Sequence, residues 1–252
     1  MGQSRSPLDV AGLERLAARG WHGWECDRLG DWLLRAGGGF TGRANSALVV
    51  GDPGRALPEA VDAVARWYAE RGLRPTVQLP GAQARAAGTA FTAAGWERDE
   101  DVLVLTAPLP PGSGDPAVPV VLSPAPDDAW LAGYRHRGSP LPPAARRVLT
   151  GAEDVVFASV RPAAPPAPPA AVARGVVTDD WLGVSAVTVA EEHRRQGLAT
   201  AVTAALYAWA AGRGARWAYL QVAASNTPAR ALYRRDGFIE HHRYHYRRAP
   251  LS

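Results

Sequence analysis

Lysine is absent. All 28 positions counted as Lys or Arg are arginine, a bias that, with the abundance of Ala, Gly and Pro, fits the codon use of a GC-rich genome. Cysteine is nearly absent: Cys26 stands alone, which excludes an intramolecular disulfide and fits a reducing compartment. No apolar run approaches the 18 residues of a membrane span, and residues 1–7 are polar where a signal peptide would be apolar. The expectation is a cytoplasmic protein with no membrane partner. Concentrated charge is lacking too. The net charge is +4 and the arginines are scattered, so no basic stripe for nucleic acid is expected. At 47% apolar residues the chain has enough for real cores, and 252 residues fit one large or two ordinary domains.

What is present centres on Arg194, Arg195, Gln196, Gly197, Leu198 and Ala199. They lie between an alternating apolar run at 184–189 and a helical pattern at 199–211. A strand feeding a turn at a helix N-terminus gathers unpaired backbone N–H groups in one concavity, and the helix dipole adds partial positive charge. Gly197 and Ala199 leave room for a ligand to approach the main chain, and the arginines suit paired contacts with phosphate. The chemistry implies a phosphate-bearing ligand held largely by backbone.

The spacing Arg194-x-x-Gly197-x-Ala199 resembles the acyl-CoA pyrophosphate loop of the GNAT superfamily, the GCN5-related N-acetyltransferases. Downstream, Asn226, Ala229, Leu232, Tyr233, Gly237 and Phe238 are similar to its second signature, Asn-x-x-Ala-x-x-Leu-Tyr-x-x-x-Gly-Phe. The resemblance covers about residues 118–248. It implies an α/β fold with a mixed sheet, acetyl-CoA as co-substrate, no metal, and transfer to the amine of a small molecule. It further implies that main-chain groups of Val187 and Val189 meet the acyl arm, that residues 194–199 and Thr200 hold phosphate, and that Asn226 and Arg230 contact the cofactor. Tyr233 is the candidate general acid. No base is legible: the strand interior holds Thr188, and the nearest acids are Asp179, Asp180, Glu191 and Glu192.

The first half repeats the second. Trp67-x-x-x-Arg71-Gly72 matches Trp209-x-x-x-Arg213-Gly214 at an offset of 142 (209 less 67), and Phe91 and Gly95-Trp96 fall on Tyr233 and Gly237-Phe238 at the same offset. The expected layout is therefore a divergent GNAT-like domain at 1–113 and a catalytic one at 118–252. The first domain has lost its loop chemistry. Asp52 at the loop position repels pyrophosphate, Pro53 removes a donor, and Phe91 has no proton to exchange.

Elsewhere, Trp21, Trp24 and Trp32 are expected to form one aromatic cluster. Residues 31–36 and 40–50 are expected to pair as a hairpin, with Arg43 and Asn45 facing a substrate across a domain interface. Residues 128–137 read as a helix capped by Asp127, and the Pro/Ala-rich run 162–169 as a mobile loop between antiparallel strands. In the last strand, alternation sets His241 with His245 on one face and His242 with Tyr244 and Tyr246 on the other. The layout, with the stretch 30–45, resembles GNAT proteins some of which are assigned as N-acetylglutamate synthases of arginine biosynthesis. Glutamate is then the implied acceptor, with Arg35 and Arg43 as partners for its carboxylates. Open alternatives are another small amine, a protein N-terminus, or a non-catalytic acyl-CoA-binding module.

Overall fold

The computed structural model describes residues 6–110, 118–134, 140–161 and 168–251. Its first half runs α1 (Val10–Gly20), β1 (Glu25–Leu29), β2 (Trp32–Ala36), β3 (Ala47–Leu48), α2 (Leu57–Ala69), β4 (Thr76–Pro80), α3 (Arg85–Ala93) and β5 (Glu97–Pro108). Its second half runs β6 (Val121–Ser123), α4 (Asp128–Gly133), α5 (Ala144–Leu149), β7 (Asp154–Val160), β8 (Ala171–Thr178), β9 (Trp181–Val189), α6 (Leu198–Ala211), β10 (Trp217–Ala223), α7 (Thr227–Arg235) and β11 (Ile239–Arg248). Among the described residues these strands form one mixed sheet, ordered β1-β2-β3-β4-β11-β5-β10-β9-β8-β7-β6.

That order carries a strand exchange. The last strand of the first half, β5, pairs with β10 of the second. The last strand of the second half, β11, pairs with β4 of the first. The two exchanged strands pair antiparallel at the centre, from Ile239 opposite Thr106 to Arg248 opposite Glu97. The offset of 142 holds in the elements: α2, β4, α3 and β5 reproduce α6, β10, α7 and β11 to within two residues at each start.

Alternation along the strands splits the core between two faces. Leu103, Leu105, Leu220 and Val222 pack with Val202 and Leu206 of α6 and Tyr233 of α7. Trp32, Val49, Val77 and Leu79 pack beneath α2 and α3. The opposite face holds Val104, Tyr219, Tyr244 and Tyr246 against Leu13 and Leu16 of α1. Asp9 caps α1 by accepting from Gly12 N–H at 2.7 Å, and Asp127 caps α4 by accepting from Trp130 N–H at 2.8 Å, as its sequence position leads one to expect.

Three expectations need correction. Residues 40–46 are loop rather than strand; only Ala47–Leu48 pair, and β2 finds its long antiparallel partner in β1. The three tryptophans do not cluster. Trp21 packs near Phe40, Trp32 near Phe91, and Trp24 lies exposed under the Arg147 guanidinium. His241 leaves the face expected for it, because the ladder slips between Glu240 and His242 and the bulge turns its ring toward α1. There His241 Nε2 meets the Leu8 carbonyl at 2.9 Å, the two Nδ1 atoms meet at 2.8 Å, and His242 Nε2 meets buried Glu14 at 2.8 Å. Glu14 also accepts from Gln78, and Gln78 from Arg35, so one polar chain stitches α1 to both halves. The end of the capped helix beyond 134, and residues 162–167 of the Pro/Ala-rich run, lie outside the described residues; the flanking β7 and β8 are antiparallel neighbours.

Candidate active site

The parallel pairing of β9 with β10 ends early. It joins Trp181–Val184 to Trp217–Leu220, yet β9 continues five residues to Val189. The strands therefore splay, and one edge of β9 is left without a partner strand. Ala190 N–H bonds the Ala170 carbonyl on the β8 side, so by alternation the main-chain groups of Val187 and Val189 point the other way, into the gap. A bulge opens the gap further. Ala186 takes φ +56°, and the β8–β9 ladder slips between Val172 and Arg174. Nothing in the sequence signals this bulge, since alanine seldom adopts that conformation.

The gap ends at the basic turn. Residues 191–193 form one 3₁₀ turn; Arg195 (φ +62°) and Gly197 (φ +78°) are left-handed, and α6 starts at Leu198. Gly197 suits the turn because L side chains avoid that φ. Among the described residues, the N–H groups of Arg195, Gln196, Gly197, Leu198, Ala199 and Thr200 have no protein acceptor; the first intrahelical bond runs from Ala201 to Gly197. Among the described residues Arg194 pairs with Glu191 alone, at 3.7 Å, and the Arg195 guanidinium makes no ion pair. A cradle of free amides with two arginines at its rim fits a pyrophosphate.

The remaining candidates lie on α7 and at its N-cap, which follow β10 in the chain. Asn226 is the N-cap of α7: its Oδ1 accepts from Ala229 N–H at 3.2 Å, which leaves its amide nitrogen without a protein partner. Arg230 donates to the Ala224 carbonyl at 2.9 Å. Tyr233 is buried against Phe238, and its hydroxyl makes no protein hydrogen bond among the described residues. Burial, then the nearby Asp236 carboxylate, pushes its phenol well above the ordinary value, so it holds its proton at neutral pH.

The acids considered from the sequence are not at the gap. Asp179 and Asp180 sit at the opposite end of β9, paired with Arg19 and Arg216. Glu191 and Glu192 are exposed beside the loop. Two acids that sequence reasoning missed, Glu100 and Asp101, stand at the end of β10. Asp101 accepts from Ala224 N–H through its carbonyl, and the Glu100 carboxylate accepts from the Ser225 hydroxyl at 2.8 Å. They arrive on β5, from the first half.

A cleft of about 540 Å³ opens at this end of the sheet, on the α1 face. Gln221 and Ala223 of β10, Tyr244 and Tyr246 of β11, and the loop carrying Arg43 form its wall. Arg43 is half-buried there. Asn45 and Arg35 depart from expectation. Asn45 uses its side chain to hold the loop, accepting from Gly37 and Gly39 N–H and donating to the Phe40 and Thr41 carbonyls. Arg35 is buried, with its donors on Ser46 and Gln78, so its guanidinium has no reach to a substrate. No group of three potential metal ligands occurs among the described residues.

Over residues 8–247 the sequence matches the family described as "Probable histone acetyltransferase Rv0428c C-terminal". The Mycobacterium tuberculosis protein "Probable histone acetyltransferase Rv0428c" is 35% identical over 243 residues, covering 94% of this chain and 73% of that protein. The fold is similar to a GCN5-related N-acetyltransferase from Kribbella flavida, at TM-score 0.68 and 17% identity over 98% of both chains. It is also similar to a tandem GNAT protein from the clavulanic acid biosynthesis pathway, at TM-score 0.62 and 20% identity over 82% of this chain and 76% of that one. Splayed strands, basic loop and paired halves thus define a GNAT acetyltransferase with a tandem fold. Within that superfamily the chain belongs to the Rv0428c C-terminal family.

Proposed function

We propose that the chain transfers the acetyl group of acetyl-CoA to the amine of a small metabolite. The gap between β9 and β10 carries this reading: an open strand edge runs straight into a helix N-terminus whose first amides are unbonded. In this reading the amides of 195–200, with Arg194 and Arg195, hold the pyrophosphate, and Val187 and Val189 align the acyl arm along the strand edge. Acetyl-CoA supplies the activated acyl group. Fixing thioester and amine side by side is worth several kcal/mol, about 7 at the least for well-oriented partners. Backbone donors at the bulge meet the carbonyl oxygen as charge develops on it. The amine nitrogen forms its bond to the acyl carbon as the carbon–sulfur bond breaks. Glu100 takes the ammonium proton, directly or through water; Tyr233 gives one to the departing sulfur, and the second proton shed by the new amide nitrogen returns to the phenolate.

The halves divide this work unequally. We assign 118–252 the acetyl transfer and 1–113 a structural and substrate-shaping role, with their last strands exchanged. For the acceptor, glutamate rests on resemblance alone. The histone in the relative's name is disfavoured by the cleft, whose charged lining residues are Arg43, Arg74 and Arg248. A lysine-rich tail would meet charge of its own sign.

The test follows thiol release from acetyl-CoA across a panel of amines, glutamate included, with the product identified by mass. Amine-dependent release that falls in Glu100→Gln and in Tyr233→Phe is the expected result. Failure to bind acetyl-CoA would sink the reading of the gap. Binding without release on any amine would leave a binding module.

A further inference from the structure

The cleft has an uncompensated charge, and it resides on Arg43. Of the three arginines on its wall, Arg74 pairs with Glu97 at 2.7 Å and Arg248 with Asp99 at 2.7 Å. Arg43 makes no ion pair or hydrogen bond among the described residues; its guanidinium carbon lies 4.1 Å from the Trp21 ring centroid. The site is pre-organised. Trp21 Nε1 donates to Thr41 Oγ1 at 2.9 Å, and the four Asn45 bonds clamp the segment that presents Arg43.

A second guanidinium lies near the same indole. Arg174 of β8 is 1% exposed, with its guanidinium carbon 5.0 Å from the Trp21 centroid. Its Nε donates to the Leu149 carbonyl and its Nη2 to the Gly20 carbonyl, while its Nη1 has no partner. Burial, with Arg43 adding repulsion, pushes its pKa down to about 9. Neither arginine has a carboxylate partner among the described residues. A buried cation without counter-charge is costly, and half-buried Arg43 adds a second positive charge beside it, so the pair calls for an anion from outside.

We propose that the cleft seats a small primary amine by its carboxylate, held on Arg43, with the Trp21 ring and buried Arg174 setting the field behind it. This rests on the cleft being the acceptor side of the acetyl-transfer site. A planar carboxylate matches the two-pronged face of one guanidinium; a phosphate dianion would call for a second unpaired cation, and Arg74 and Arg248 are already paired with Glu97 and Asp99. The volume suits a metabolite. Because Arg35 is enclosed elsewhere, the cleft presents one unpaired guanidinium among the described residues, enough for one carboxylate. Specificity for a dicarboxylate over a monocarboxylate is not built into it.

The test compares matched amines in the acetyl-CoA thiol-release assay: L-phenylalanine against L-phenylalaninamide and phenethylamine, L-glutamate against 4-aminobutyrate and L-glutamine, and phosphoethanolamine against ethanolamine. The expected result is that L-phenylalanine leads its amide and phenethylamine by about 50-fold in kcat/KM, the scale of one charge-assisted pair, while the members of the glutamate set, each with a carboxylate, show no lead of that size and phosphoethanolamine gains none over ethanolamine. Arg43→Gln should erase that lead through KM, Arg43→Lys should restore part of it, and acetyl-CoA affinity should stay at the parent value in both. Equal use of amide and acid overturns the proposal, as does a phosphoethanolamine lead, a cationic peptide as the sole acceptor, or a lead that survives in Arg43→Gln. Any of these, with acetyl-CoA still bound and some amine acetylated, leaves the acetyltransferase reading standing. Loss of acetyl-CoA binding by the parent protein overturns both.

Discussion

The chain holds the same unit twice, and the two strand-to-helix turns have opposite fates. In the second half, β9 overruns its pairing by five residues and the turn leaves six amides free. In the first half, Ala47 and Leu48 pair with Val77 and Gln78, Val49 N–H adds a further bond to Gln78, and the chain bends into its turn within a few residues. There two of the turn amides are already served. Asp52 N–H donates to the Asp31 carboxylate at 2.9 Å, and Gly54 N–H to the Asp52 carboxylate at 2.7 Å. Internal carboxylates and a shorter strand thus close part of the anion-binding turn, while the helix that follows is kept. Fold alone says little about which half is chemical; the state of the amides says more.

The comparison can be broken most sharply at the working loop. Gly197→Asp forces a side chain into φ +78° and copies the negative charge of the silent half; acetyl-CoA affinity should fall about 100-fold or more, read by calorimetry. Tyr233→Phe makes the second half resemble the first. It should lower kcat about 100-fold, within the usual range for a general acid, and leave acetyl-CoA affinity unchanged. The reverse change, Phe91→Tyr, should bring no activity and should destabilise by about 2 kcal/mol, because the ring is fully enclosed against Trp32 and Trp96 and an added hydroxyl loses its water there.

The joint between the halves can be probed next. His242→Ala removes the ring that bonds Glu14 and leaves that carboxylate buried with Gln78 as its remaining side-chain partner. A loss of about 3 kcal/mol is expected in urea unfolding, with both halves melting together because the exchanged strands couple them. The smallest effect is at α4. Asp127 is held below the usual carboxylate range, first by the Trp130 amide and then by Arg161. Its folded value lies below its unfolded value, so its contribution is present above the ordinary carboxylate range and is lost as pH falls through the folded value. Asp127→Asn keeps the cap and should flatten that acid-side slope of unfolding free energy by a small amount.

Much of this was legible from residues. The loop 194–199, the helices at 198–211 and 227–235 and the repeat at offset 142 follow from glycine placement, apolar period and spacing, because each depends on neighbours within a few positions. The pairing of 40–50 was not legible. Apolar alternation there marks burial, which loop residues such as Phe40 and Ala44 also reach by packing near Trp21. Arg35 and Arg174 look alike in the sequence as single arginines in apolar strands, yet one is enclosed by Ser46 and Gln78 and the other has a free Nη1.

By itself, then, the sequence determined the basic glycine turn and the half that carries it, since such a turn before a helix is a local device whose amides need no distant partner. Tertiary structure alone decided what stands around that turn. Strand exchange carries Glu100 from the first half to the end of β10, a bulge at Ala186 opens the edge of β9, and a loop from the first half brings Arg43 to the cleft. The first and last of these join residues more than a hundred positions apart. They depend on which strand edges pair, and no local spacing encodes that.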